Sequence, residues 1–144
     1  MIVLDANLLL YAYDASSLRH AAARQWLTKA FSGQELIGLP WQTISAFLRI
    51  ATDSRIYAHG MSMEEAIEHV QDWLELKNVR LLVPGDQHWR YLRRMLIDGD
   101  VRGALATDAA LAAIALENGG TLYSADRDFA RFPGLRWINP LAAS

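Results

Sequence analysis

The sequence predicts an α/β fold, a sandwich of helices around a mostly parallel sheet, and three observations carry the prediction. Short apolar runs such as Ile2-Val3-Leu4, Leu36-Ile37-Gly38-Leu39 and Val79-Arg80-Leu81-Leu82-Val83 alternate with longer stretches whose apolar residues recur every three or four positions. The first run has no polar alternation, as expected of a central strand buried on both faces. Breakers fall between the segments, at Gly33, Pro40, Pro84-Gly85, Gly99 and Gly119-Gly120.

The elements follow in order. Ile2 to Leu4 forms the first strand and stops at Asp5, handing over to the helix-friendly Leu8-Leu9-Leu10-Tyr11-Ala12. A loop is expected over Tyr11 to Ser17, with Ser17 capping a helix from Leu18 to about Phe31 that turns Ala22, Ala23, Trp26, Leu27 and Ala30 inward. Leu36 to Leu39 is the second strand, closed by Pro40, and Trp41 to Ala51 is a helix with Ile44, Phe47, Leu48 and Ala51 at core spacing. Ser62-Met63-Glu64-Glu65 reads as a capping box. The helix it opens places Met63, Ala66, Ile67, Val70, Trp73 and Leu74 on one stripe. Val79 to Val83 is the third strand, and Asp86 caps a helix running to about Asp98. An Ala- and Leu-rich helix from about Ala104 to Asn118 must be buried against the sheet and ends at Gly119-Gly120. Thr121 to Ser124 makes the fourth strand, Asp126 to Ala130 one helical turn, and Leu135 to Ile138 a last short strand.

With 144 residues and 52% hydrophobic content, one well-packed domain over residues 1–144 is expected. A formal charge of −2 supplies no global basic field, so a nucleic-acid partner would need a local patch or bound cations. The absence of cysteine removes disulfides, thiolate nucleophiles and Cys-type zinc sites, which leaves oxygen ligands for any metal and suits a reducing compartment. No stretch approaches ~20 apolar residues and the start carries no basic secretion signal, so the expectation is a cytoplasmic protein without a membrane partner.

Three acids mark strand ends or helix starts: Asp5 after the first strand, Asp108 in Ala106-Thr107-Asp108, and Asp126 after Leu122-Tyr123-Ser124-Ala125. Ligands of parallel sheets bind at the carboxyl ends of the strands. Taken alone, Asp5 and Asp108 read better as a cap or turn residue and as a complement to a helix dipole, and Asp126 can equally be a turn or cap residue. Gathered within ~5 Å, each like-charged pair would cost ~3 kcal/mol at an effective dielectric of ~20, which calls for a cation. An all-oxygen set suits Mg²⁺ or Mn²⁺, the ions used for phosphodiester cleavage. Other chemistries lack their motifs. There is no phosphate-cradling glycine loop, no Gly-x-Ser-x-Gly elbow and no metal-spaced pair among His20, His59, His69 and His88, which are expected at the surface. An aspartyl-phosphate enzyme built on Asp5 would want an acid where Asn7 stands. Arg90, Arg93 and Arg94 form a basic stripe that reads best as a solvated face.

Ile2-Val3-Leu4-Asp5-Ala6-Asn7, Phe47-Leu48-Arg49, Ala106-Thr107-Asp108-Ala109 and Ser124-Ala125-Asp126-Arg127-Asp128-Phe129, followed by Phe132-Pro133-Gly134-Leu135, resemble the PIN-domain ribonucleases. More narrowly, the chain resembles the VapC-type toxins of bacterial toxin–antitoxin pairs. The resemblance spans essentially the whole chain. It implies a compact three-layer α/β/α domain, endonuclease action on RNA dependent on Mg²⁺ or Mn²⁺, homodimerisation and inhibition by a small cognate antitoxin. It also implies that Asp5, Asp108 and Asp126 are the catalytic and metal-holding acids. Asn7 falls on a usual polar neighbour, Thr107 and Ser124 on positions that orient the acids, Asp128 outside the ligand shell, and Arg127 where it can contact backbone phosphates. One departure stands out: the family usually places Glu immediately before Phe-Leu-Arg, and here that residue is Ala46. Ser45 or Asp53 could stand in for the missing acid. The alternative is a catalytically weak or dead domain that survives as an RNA- or antitoxin-binding module. Trp41, Tyr57 and Trp89 are the apolar surface candidates for partner contacts.

Overall fold

The computed structural model describes residues 1–142. Its five strands are β1 (Ile2–Leu4), β2 (Ile37–Pro40), β3 (Val79–Leu82), β4 (Thr121–Tyr123) and β5 (Trp137–Ile138), paired in the order β3-β2-β1-β4-β5 with every neighbour parallel. The six helices are α1 (Ala6–Tyr13), α2 (His20–Ser32), α3 (Trp41–Ala51), α4 (Met63–Glu75), α5 (His88–Asp98) and α6 (Leu105–Glu117), and a 3-10 turn covers Arg127–Arg131. This is the expected α/β class, and successive residues of β1 explain the layering. Ile2 and Leu4 pack into one core with α1 to α4, whereas Val3 packs into the other with α5 and α6. A strand points alternate side chains to opposite faces, so three consecutive apolar residues require helices on both.

Several local expectations are corrected. The first helix extends to Tyr13, because Leu8, Leu9, Leu10 and Ala12 are all buried, and Asp14 rather than Tyr11 opens the loop. Ser17 does not cap α2: its hydroxyl accepts the Arg19 N–H (3.1 Å) in a turn before the helix, which begins at His20 without a side-chain cap. Ala22 is exposed, since the face of α2 that packs on the core runs through Ala23, Trp26, Leu27 and Ala30. β2 starts at Ile37; the Leu36 side chain is exposed, and only its carbonyl joins the sheet by accepting the Ile2 N–H at 2.8 Å. On α4 the Ser62 cap forms as expected, its oxygen accepting the Glu65 N–H at 3.1 Å, but Met63 and Ile67 face solvent. That helix buries only Ala66, Val70 and Trp73, a stripe too narrow to include them. Asp86 does not cap α5. The neighbouring Gly85 and Gln87 N–H groups instead donate to the two carboxylate oxygens of Glu117 (2.9 and 3.0 Å), which ties the start of α5 to the end of α6. Three of the four histidines are half-buried rather than exposed: His20 bonds the Tyr11 carbonyl (3.0 Å), His69 lies against Tyr13 and Trp73, and only His59 is exposed among them.

The chain leaves α6 at Gly119, whose φ of +61° is the left-handed conformation glycine adopts without strain. It then passes so close to β1 that a Cβ at Gly120 would stand 2.7 Å from Val3 Cγ2. This tight return sets β4 beside β1, in register from Ile2–Thr121 to Leu4–Tyr123. The carboxyl ends of the two strands therefore lie side by side.

Candidate metal centre

Asp5 is the residue after β1 and the N-cap of α1, its Oδ1 accepting the Ala6 N–H at 2.7 Å. Its Oδ2 accepts the Ser124 hydroxyl at 2.6 Å. Ser124 is fully buried at the end of β4 and works as a hub: the same oxygen accepts the Asn7 side-chain amide (3.1 Å) and the Asp126 N–H (3.0 Å). Asn7 in turn accepts the Ala125 N–H at 3.3 Å. The network locks the two strand ends together, and every group in it is paired, as buried polar groups require.

Asp126 caps the 3-10 turn, accepting the Asp128 N–H at 2.9 Å. Asp108 sits in the first turn of α6. Asp108, Asp126 and Asp128 each offer a carboxylate oxygen, and the three oxygens lie within 4.8 Å of one another. Asp128 is thus part of the cluster rather than behind it, while Asp5 lines the same cleft with both oxygens already accepting hydrogen bonds. Like charge and burial shape the electrostatics. Asp108 is pushed up to about 6, first by desolvation and then by the negative charges of Asp126, Asp5 and Asp128, with Arg131 pulling weakly the other way. Burial also raises Asp5, against the hydrogen bonds from Ser124 and Ala6. Such crowding is costly without a counter-ion, and oxygen-only donors on rigid strand and helix ends suit a hard divalent cation.

The cleft holding Asp5, Asp108 and Asp126 has a volume of ≈ 480 Å³. Its far wall is α3, which contributes Gln42, Thr43, Ser45, Ala46 and Arg49. Ala46 therefore lines the cleft, where an acid would face the cluster. Asp53 does not fill that gap: its carboxylate is engaged by the Arg55 N–H and guanidinium (2.9 to 3.1 Å) outside the cleft. Thr107 lies at the exposed rim, its carbonyl accepting the Gln42 amide at 2.8 Å. Arg127 is exposed on the 3-10 turn. Arg90, Arg93 and Arg94 lie outside this cleft, and Arg94 stacks over Tyr91.

Sequence reasoning missed Thr43, Gln42 and Arg131. Thr43 is buried and donates to the Leu4 carbonyl at 2.6 Å, fastening α3 to the end of β1. Its signal was a hydroxyl on the otherwise apolar face shared with Ile44 and Phe47. Arg131 reaches the Gly99 and Asp100 carbonyls and adds positive charge near Asp108, for which the sequence carried no signal. A larger cavity of ≈ 720 Å³ lies away from the acids, between the end of α1 and the loop after α3, and includes Tyr13, Tyr57, His59, Glu65 and His69. Among the described residues, only the Asp108–Asp126–Asp128 group brings three or more metal-type donors together.

Comparison with known proteins agrees with this geometry. The family model described as PIN domain matches residues 2–135. Ribonuclease VapC37 of Mycobacterium tuberculosis is 39% identical over 142 residues, covering 99% of each chain. Ribonuclease VapC33 of the same species is 38% identical, over 98% of this chain and 99% of that one. Among solved structures, VapBC2 of Rickettsia felis, described as bound to a DNA fragment from its promoter, superposes with a TM-score of 0.70 at 15% identity over 96% of this chain and 98% of that chain. M. tuberculosis VapC20, described as a Sarcin-Ricin loop cleaving toxin, gives 0.68 at 19% identity over 94% and 99%. At such identities the structural matches speak for the fold.

Proposed function

The chain belongs to the PIN-domain family, within its VapC ribonuclease group, and from that premise we propose that it is a divalent-metal-dependent endoribonuclease acting as the toxin of a toxin–antitoxin pair. The observation that carries the reading is the convergence of Asp108, Asp126 and Asp128 at the cleft that Asp5, Asp108 and Asp126 line, in a chain whose relatives at 39% identity are named ribonucleases. Asp108, Asp126 and Asp128, with Asp5 beside them, would hold the ion, Mg²⁺ or Mn²⁺. When bound, such an ion stabilises negative charge on a phosphoryl oxygen and makes water a better nucleophile. The chain's own residues do the positioning. Ser124 fixes the Asp5 carboxylate and the Asp126 backbone through one hydroxyl, and Asn7 braces the Ala125 peptide between them. Thr107 shapes the rim, and Arg127 is placed to meet a backbone phosphate outside the acids.

Ala46 is what favours the rival reading, a domain that binds RNA or an antitoxin without cutting. The intact cluster of acids, and the hydrogen bonds that orient it, argue against that rival. Ala46→Glu is expected to bind Mn²⁺ about fivefold more tightly, ~1 kcal/mol, as the added attraction is largely offset by repulsion from the other acids. Single-turnover RNA cleavage across a Mg²⁺ and Mn²⁺ titration tests the function and the gap together. Cleavage that depends on the ion supports the ribonuclease, and a faster Ala46→Glu variant supports a site short of one ligand. No cleavage of any RNA by either protein favours the binding module.

The antitoxin is also a proposal, supported by the VapBC complexes among the structural neighbours, and so is a second copy of the chain, for which the exposed apolar surface speaks. Trp41 and Trp89 are 50% and 65% exposed, large apolar area for a folded surface to leave free, while Tyr57 is half-buried and lines the larger cavity. Light scattering at tens of micromolar is expected to give twice the mass of the chain. A strict monomer would contradict the dimer, and failure of the product of an adjacent reading frame to bind would contradict the antitoxin.

A further inference from the structure

We propose that Arg49 on the α3 wall of the cleft binds a substrate phosphate directly, so that in this chain the third helix supplies an anion contact where an acid would otherwise face the ion. The inference rests on the proposed RNA-cleaving role of the cleft. Arg49 lines the cleft one helical turn beyond Ala46, in a wall that also holds Gln42 and Ser45 and no carboxylate. Residues three apart on a helix are neighbours, so an acid at position 46 would sit beside the guanidinium and neutralise it. With alanine there, Arg49 makes no ion pair within 4.0 Å among the described residues. Asp53 is the carboxylate whose charge reaches Arg49, and Arg55 already occupies both of its oxygens. An exposed guanidinium without an ion-pair partner, in the cleft that Asp5, Asp108 and Asp126 also line, is suited to a ligand that is itself an anion and carries its own cation. A phosphodiester meets that description, and a guanidinium can take two of its oxygens at once.

The test measures binding of a short fluorescein-labelled single-stranded RNA of mixed sequence over a KCl series, with cleavage blocked by Asp108→Asn in every version. Adding Arg49→Ala is expected to weaken binding about tenfold and to reduce the slope of log K against log salt by about 0.7, one phosphate contact on a single strand. Arg49→Lys keeps most of the slope and loses part of the affinity. Arg24→Ala, on an exposed position of α2 outside the cleft, changes neither. Ala46→Glu lowers the slope as Arg49→Ala does, while raising Mn²⁺ affinity in the Asp108-containing protein. Should Arg49→Ala fail to fold, Arg49→Gln carries the same comparison. Unchanged affinity and slope in the Arg49 variants overturn the proposal, as does the absence of RNA binding both by these versions and by the wild type with Ca²⁺ in place of Mg²⁺ and Mn²⁺. If Mn²⁺ binding by the wild type, followed separately by calorimetry, persists in either case, the metal centre stands without Arg49. If the wild type binds no Mn²⁺ and cuts no RNA but the Arg49 slope is lost, the phosphate contact stands and the ribonuclease falls.

Discussion

Replacing Asp108 with asparagine is expected to abolish Mn²⁺ binding and, in metal-free buffer, to raise the melting temperature. The two effects have one cause. Asp108 is lifted from 3.8 to about 6 by burial and by the charges of Asp126, Asp5 and Asp128, so the metal-free fold pays to keep it ionised. Between those pH values the folded chain holds more proton than the unfolded one, so this contribution to stability falls as pH rises through ~4 to ~6 and the full penalty remains above it. The nominal difference is ~3 kcal/mol, and solvent screening of a half-exposed carboxylate leaves ~1 kcal/mol. Asparagine removes it, which corresponds to about 3 °C at pH 7.5 for a chain of this size. Near pH 3, where aspartate is largely protonated in both states, the gain all but disappears. With Mn²⁺ present the order reverses: the wild type is stabilised by binding and Asp108→Asn is not. Scanning calorimetry at both pH values, with and without Mn²⁺, checks all four cases. Equal Mn²⁺ stabilisation of the two proteins would remove Asp108 from the site.

Ser124→Ala is expected to cost about 2 kcal/mol of stability and to weaken Mn²⁺ binding at least tenfold. The hydroxyl is fully buried and serves three partners, so its loss strands the Asn7 amide and the Asp126 N–H and frees the Asp5 carboxylate. Without that hydrogen bond Asp5 rises further above its ordinary value, because the bond is the largest influence opposing its burial. Urea unfolding and Mn²⁺ titration of the variant measure the two losses separately. Ser124→Thr, which keeps the hydroxyl, should recover much of the metal affinity, and an alanine variant that binds Mn²⁺ normally would reduce Ser124 to a packing role.

How far the site was legible follows from how local each cause is. Asp5 and Asp126 end apolar strand runs, and Asp108 opens a helix, so three acids could be placed on one edge of a parallel sheet from the sequence pattern. Asp128 could not be placed in the cluster, because its position depends on the turn that Asp126 nucleates by accepting the Asp128 N–H. The role of Ser124 was visible only through resemblance: nothing in Tyr123-Ser124-Ala125 announces a hydroxyl shared by partners 117 and 119 residues away. The α3 wall was hidden for a third reason. Core periodicity located the helix to the residue, yet which of its polar residues meet the acids depends on β2 lying next to β1, a tertiary fact. Caps failed where a distant group took over the role, as Glu117 does for the start of α5.

The metal centre is tested most directly by anomalous diffraction from crystals soaked in Mn²⁺. The expected result is a peak among the carboxylates of Asp108, Asp126 and Asp128, on the side of the cleft that faces Asp5, and its loss in Asp108→Asn crystals soaked alike. A saturating soak that leaves those carboxylates without a peak, or places Mn²⁺ only elsewhere on the chain, would contradict it.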